Sequence, residues 1–235
     1  EHNGVKIDAE KLKSLCKEVD IKIENLKKAI FKITGKEFNL NSPKQLSEIL
    51  FKDLKIAPVK KTKTGFSTGE EVLEKLSAQH EIAKFILEYR ELNKLKTTYI
   101  VPLIETVSLN HGELHAQFNQ TATATGRLSS SSPNLQSIPV KGEFSARLRS
   151  AFVSSFEDGF VACADYSQIE LRILAHFSDD EKLKEAFDKK TDIHRYTASL
   201  LFGKPESEVS AGERNRAKTV NFGIIYGMSA YGLSK

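Results

Sequence analysis

The chain has 235 residues, 40% of them hydrophobic and 28% charged, with a formal net charge of +4, an ordinary make-up for a globular protein of one large domain or two modest ones. No apolar run approaches the roughly 18–20 residues that cross a bilayer, and the opening EHNGVKIDAEK carries no signal-peptide core. Two widely separated cysteines, Cys16 and Cys163, without CxxC spacing argue against structural zinc or a disulfide framework, so a reducing, cytoplasmic setting with no membrane partner is expected.

From Asp8 to about Thr34, apolar residues recur at threes and fours (Leu12, Leu15, Val19, Ile23, Leu26, Ile30, Ile33), which predicts an amphipathic helix ended by Gly35. Ser42 followed by Pro43 reads as the cap and first turn of a second helix. Lys52, Lys55, Lys60, Lys61 and Lys63 then crowd a segment with turn-forming Pro58 and Gly65. Such a run is either a solvated face or a surface for an anionic polymer. A third helix is expected from about Gly69 to Thr98, with Val72, Leu73, Leu76, Ile82, Phe85, Ile86, Tyr89 and Leu92 on its apolar side. Residues 1 to about 100 therefore read as paired helices joined by a basic loop.

Composition changes at ELHAQFNQTATATGRLSSSSPNLQSI, residues 113–138, which begins as a short alternating strand and turns rich in Thr, Ser, Asn and Gln. Residues 160–177 read as a return to strand, with Cys163 as a small buried thiol. Within that stretch, ACADYSQIELRILAHF sets Asp165 and Glu170 in apolar company. An unpaired buried carboxylate is costly, so Asp165 invites a metal-ligand reading. Beyond Asp179 the chain reads helical, with a break at GKPESEVSAGE and a last helix from about Gly212.

That last helix has an unusual face. Arg214, Lys218, Phe222 and Tyr226 are each four residues apart and drift only about 40° per step, so they share a side. The face grades from two cations to two aromatics. A ligand with an anionic end and a flat end, such as a nucleoside triphosphate, fits that order. The alternative is a surface helix with its rings tucked in and its cations in water.

Several of these stretches resemble the family A DNA polymerases of the bacterial DNA polymerase I type. DYSQIELR at 165–172 is similar to their motif A, and RNRAKTVNFGIIYG at 214–227 to motif B on the fingers helix. TATATGRLSSSSPNLQSIP (121–139), DIHRYTA (192–198) and FNLNSPKQL (38–46) match in the family's order. The resemblance implies an α+β right-hand fold, here incomplete: a DNA-gripping helical thumb over 1–105, the first part of the palm over 106–178, and the start of the fingers over 179–235.

It also implies roles. Asp165 would ligate both of two Mg²⁺ ions, assisted by the Tyr166 carbonyl. Lys218 would grip the α-phosphate and protonate the leaving group, with Arg214 at the γ-phosphate and Gln168 and His194 near the β-phosphate. Phe222 would stack on the incoming dNTP, and phenylalanine there implies discrimination against dideoxynucleotides. Glu170 would be a steric gate against a ribose 2′-hydroxyl, with Tyr226 as its hydrogen-bonding neighbour. Arg127, Asn134 and Gln136 would check the primer–template duplex through its minor groove. Lys60, Lys61 and Lys63 would meet the duplex backbone, with a contribution that falls steeply with salt. Asn215 stands where the family often has a second arginine, which weakens the case for a further basic contact there.

The family's second catalytic aspartate lies in a His-Asp-Glu turn, and no such turn occurs between Glu1 and Lys235. The sole methionine is Met228, so the chain is expected to be a cut or processed piece. On this reading it belongs to an enzyme of template-directed DNA synthesis, with the remaining palm and fingers as partner, and is inactive alone. The alternatives are a non-catalytic DNA-binding remnant or one half of a split polymerase.

Overall fold

Asp8 sets where the first strand stops and the first helix begins. In the computed structural model, which describes residues 1–62, 65–189 and 191–233, its carboxylate accepts from the Lys11 amide at 3.0 Å, a side-chain cap on α1 (Ala9–Thr34). Gly35 closes α1 in the left-handed region at φ 68°, donating back to the Phe31 carbonyl. Before Asp8, β1 (Val5–Ile7) is the middle strand of a three-stranded antiparallel sheet. It pairs with β4 (Glu113–Leu114) on one side and β7 (Phe152–Val153) on the other.

The chain divides into two compact units, Glu1–Ala162 and Cys163–Lys235. In the first, α1 lays its stripe Leu12, Leu15, Val19, Ile23, Leu26 and Ile30 into the core, while Ile33 stays 39% exposed. Ser42 caps α2 (Pro43–Glu48) as expected, and a π turn, Ile49–Asp53, follows. The basic segment folds into a two-stranded hairpin, β2 (Lys61–Thr62) and β3 (Gly65–Phe66).

The single helix expected over 69–98 is instead two. Helix α3 (Glu70–Ser77) ends, His80 is extended at φ −128°, and α4 (Glu81–Lys94) begins. The reason lies in the register: from Leu76 the helical positions three and four ahead are Gln79 and His80, and apolar residues resume only at Ile82. Breaking there lets both short stripes face one core. Helix α4 runs through a π turn (Leu95–Ile100) into α5 (Val101–Leu109). Leu12, Ile30, Leu73, Ile86, Ile100 and Leu103 are fully buried in this core, each contributing about 1.5–3 kcal/mol of transfer free energy.

Beyond β4, the strands β5 (Gln117–Asn119) and β6 (Ser129–Ser131) pair as a ladder, with Phe118 opposite Ser130. A 3₁₀ turn (Leu135–Ser137) and α6 (Glu143–Arg149) lead into β7.

The strand expected over 160–177 is not present. Residues 159–166 carry no regular structure, and α7 (Ile169–Ser178) takes up the rest. Two causes are visible. Among the described residues no strand pairs with 160–166, and a lone strand leaves its ladder groups unsatisfied. Downstream, Leu171 and Ala175 are buried four residues apart, a helical period. Cys163, expected to be buried, is exposed, as are Phe160 and Tyr166.

The second unit continues with α8 (Glu181–Asp188), α9 (Ile193–Phe202), α10 (Ala211–Ile225) and α11 (Ala230–Leu233). Its main contact is α9 on α10, centred on Ala198 and Ala217, both fully buried. Gly203 ends α9 at φ 63°, and Arg195 ties the connection by donating to the Glu206 and Val209 carbonyls. Ser210 and Glu213 form a reciprocal capping box at the start of α10. Lys204 sits 2.7 Å from Glu213, and together with the Ser210 hydrogen bonds it pulls that carboxyl down to about 2. Ser210→Ala is expected to weaken this cap by about 1 kcal/mol, read as severalfold faster amide exchange at Glu213; unchanged exchange would rule the cap out as a contributor.

Candidate active site

Helix α10 presents the graded face. Arg214 is half-buried, Lys218 is exposed, Phe222 is half-buried and Tyr226 is the exposed C-cap residue. The helix start, with its capping box, lies at the cationic end, and the helix dipole adds to the attraction for an anion there.

The N-terminus of α9 is wired to this face. Asp192 caps α9, one carboxylate oxygen accepting from the His194 and Arg195 amides at 3.1 and 3.2 Å. Its other oxygen accepts from Arg214 Nε at 2.6 Å. Partial burial pulls the Asp192 carboxyl upward, but Arg214 and the two amides outweigh it and hold it below its usual value. His194 is only 3% exposed. Burial first, then the Arg214 and Lys218 charges, lower its pKa against the opposing pull of Asp192, so the ring is neutral near pH 7.

Asn221 Nδ2 donates to His194 Nδ1 and to Thr197 Oγ1, each at 3.1 Å. The His194 ring also lies 5.7 Å from the Phe222 ring, tilted by 45°. Arg214, His194 and Phe222 are thus brought together around one end of the α9–α10 pair. Asp192, Asn221 and Thr197 were not singled out from the sequence, although DIHRYTA and NFG contain all three.

Helix α7 meets the end of α10 at a second point. The Tyr226 hydroxyl is 2.7 Å from both carboxylate oxygens of Glu170, in the first turn of α7. Gln168 precedes that helix in a left-handed conformation at φ 54°. Asp165 is exposed on the irregular segment ahead of it, next to Tyr166, which is 80% exposed. Among the described residues no three His, Cys, Asp or Glu side chains gather as a metal site. Asp165 and a backbone carbonyl at Tyr166 offer hard oxygen donors of the kind Mg²⁺ takes; they fit in type and fall short in number.

The residues expected to face DNA lie in the first unit. Arg127 follows the turn between β5 and β6, and its carbonyl accepts from Thr123 Oγ1 at 2.6 Å. Gln136 donates to the Leu128 carbonyl at 3.1 Å, and Asn134 caps the 3₁₀ turn by accepting from the Gln136 amide. Lys60 is 3.6 Å from Glu71 and Lys61 is exposed in β2, while Lys63 lies outside the described residues.

No helix among the described residues is long and apolar enough to cross a membrane. The molecule thus combines a helix-rich α+β fold with a cation-to-aromatic helix face and a carboxylate hydrogen-bonded to it. Residues 9–235 match DNA polymerase family A, and the chain belongs to that family. It is 49% identical over 235 residues to DNA polymerase I of Bacillus subtilis (strain 168), covering all of this chain and 27% of that protein. It is 50% identical over 238 residues to the thermostable DNA polymerase I of Thermus aquaticus, covering all of this chain and 28% of that one. Among solved structures, the POL domain of Pol1 from M. smegmatis, in complex with DNA primer-template and dNTP, is 40% identical with a TM-score of 0.89. That match covers 99% of this chain and 41% of the other. The chain thus spans about a quarter of the length of the curated relatives it matches, 27% and 28% in the two cited.

Proposed function

We propose that the chain is the dNTP-receiving part of a template-directed DNA polymerase, contributing thumb (1–105), first palm (106–178) and first fingers (179–235) segments to a right-hand fold. The observation that carries this is the graded face of α10 joined to α7 through the Tyr226–Glu170 hydrogen bond. Arg214 and Lys218 hold the triphosphate, with Gln168 and His194 near its β-phosphate. Phe222 lies against the base, and Glu170, held by Tyr226, stands where a ribose 2′-hydroxyl would go. Lys218 also stands ready as proton donor to the leaving group.

Asp165 and the Tyr166 carbonyl would hold Mg²⁺, which when bound supplies charge neutralisation for phosphoryl transfer and a more acidic primer hydroxyl. Arg127, Asn134 and Gln136 face the duplex, and Lys60, Lys61 and Lys63 meet its backbone.

One aspartate cannot hold two ions, so the 235-residue chain alone, given Mg²⁺, primed template and four dNTPs, is expected to extend nothing. Supplying the remainder of a family A polymerase domain as a second polypeptide is expected to restore extension. Duplex binding without any response to dNTP in that mixture would instead favour a non-catalytic DNA-holding role. Retention of Asp165, Glu170, Lys218 and Phe222 together speaks for catalysis, because holding DNA requires none of them.

A further inference from the structure

Arg214 is held by a carboxylate from α9's N-terminus. Asp192 takes its Nε–H at 2.6 Å. A guanidinium has five donors, and the four on its terminal nitrogens form the fork that matches a phosphate. The carboxylate therefore engages the inner edge of the group. Its second oxygen is committed to the His194 and Arg195 amides at the start of α9. A single side chain thus fixes both the plane of Arg214 and the backbone that carries His194.

We infer that Asp192 is a positioning residue for the incoming triphosphate, orienting the Arg214 fork and the α9 terminus as one unit. The inference rests on the assignment of Arg214 to the triphosphate. Asp192 is pinned in three directions, so it is not a mobile counter-ion that a phosphate would have to displace. Asn221 supports the same corner from α10, seven residues beyond Arg214 and so within about 20° of it on the helix. It holds the His194 ring while Asp192 holds the His194 amide.

The test is Asp192→Asn in the complete polymerase. Asparagine is as good a helix cap as aspartate, so the α9 terminus is kept while the charged acceptor for Arg214 is lost. The expected result is a dNTP KM about tenfold higher, the loss of one hydrogen bond to a charged group, with kcat and the melting temperature little changed. Asp192→Ser, which also caps, is expected to behave alike and guards against a folding defect peculiar to one variant. In an Arg214→Ala background, Asp192→Asn is expected to add nothing further.

An unchanged or lowered KM for Asp192→Asn, with Arg214→Ala still raising it, would overturn the positioning role and leave the triphosphate assignment standing. An additional full tenfold loss in the Arg214→Ala background would overturn it too. If Arg214→Ala itself leaves the dNTP KM unchanged, the triphosphate assignment fails, and the inference falls with it.

Discussion

Replacing Asp165 by asparagine in the complete polymerase is expected to slow primer extension by about 10³-fold or more, roughly 4 kcal/mol of transition-state stabilisation. The change is nearly isosteric and alters one thing, a full negative charge on a hard oxygen donor. Asp165 lies on exposed backbone without regular structure, ahead of α7. It packs in no core, so folding should be indifferent to the exchange. On the proposed assignment of duplex contacts to Arg127, Asn134, Gln136 and the lysines, duplex affinity should change little. A steady-state rate within tenfold of the parent would remove Asp165 from the reaction centre. A parallel drop in melting temperature would reassign it to stability.

The second large effect concerns the sugar. Glu170→Ala is expected to lower discrimination against ribonucleotides by about 10²-fold, the scale of a steric contact in a specificity pocket. The carboxylate is placed by the Tyr226 hydroxyl, 2.7 Å from both its oxygens. Tyr226→Phe removes that donor, so the carboxylate is kept but no longer held, and a smaller loss of about tenfold is expected. The measurement is the ratio of kcat/KM for dNTP and rNTP on one primed template. Equal ratios for parent and Glu170→Ala would show that discrimination resides elsewhere.

The amphipathic helices of the first unit were legible because period and caps agree. The α1 stripe, Asp8 and Gly35 all point to one helix, and Ser42 with Pro43 fixes the next start. The α3–α4 break was legible in principle, since the apolar register fails at Gln79 and His80, but a count of apolar residues alone overlooks it. The segment 160–177 failed for a different reason. Its β-branched and aromatic content suits a strand, yet a strand exists only with a neighbour, and pairing is a tertiary fact. The helical spacing of Leu171 and Ala175 was the signal that could have corrected it.

The α10 face could be read from spacing, because a helix fixes which side chains align. Partners from other elements could not. Asp192, Thr197 and Asn221 are small polar residues whose roles appear only when α9 and α10 pack. His194 was read as a phosphate neighbour, and its near-complete burial beneath Asn221 and Phe222 was not visible in its motif.

The first unit can also be viewed as a mechanical part. Its 26-residue α1 is about 39 Å long, with the three-stranded sheet joined to its start at Asp8. Past its far end, Lys36 binds Asp53 at 2.7 Å and the Phe51 ring meets Phe66 of the lysine hairpin. Helix α4 lies alongside, braced to α1 by Lys22 with Glu88, and the π turn after it by Lys96 with Asp20. A braced rod of that length is a lever. A pivot of about 10° at its start would carry the far end of α1 through roughly 7 Å.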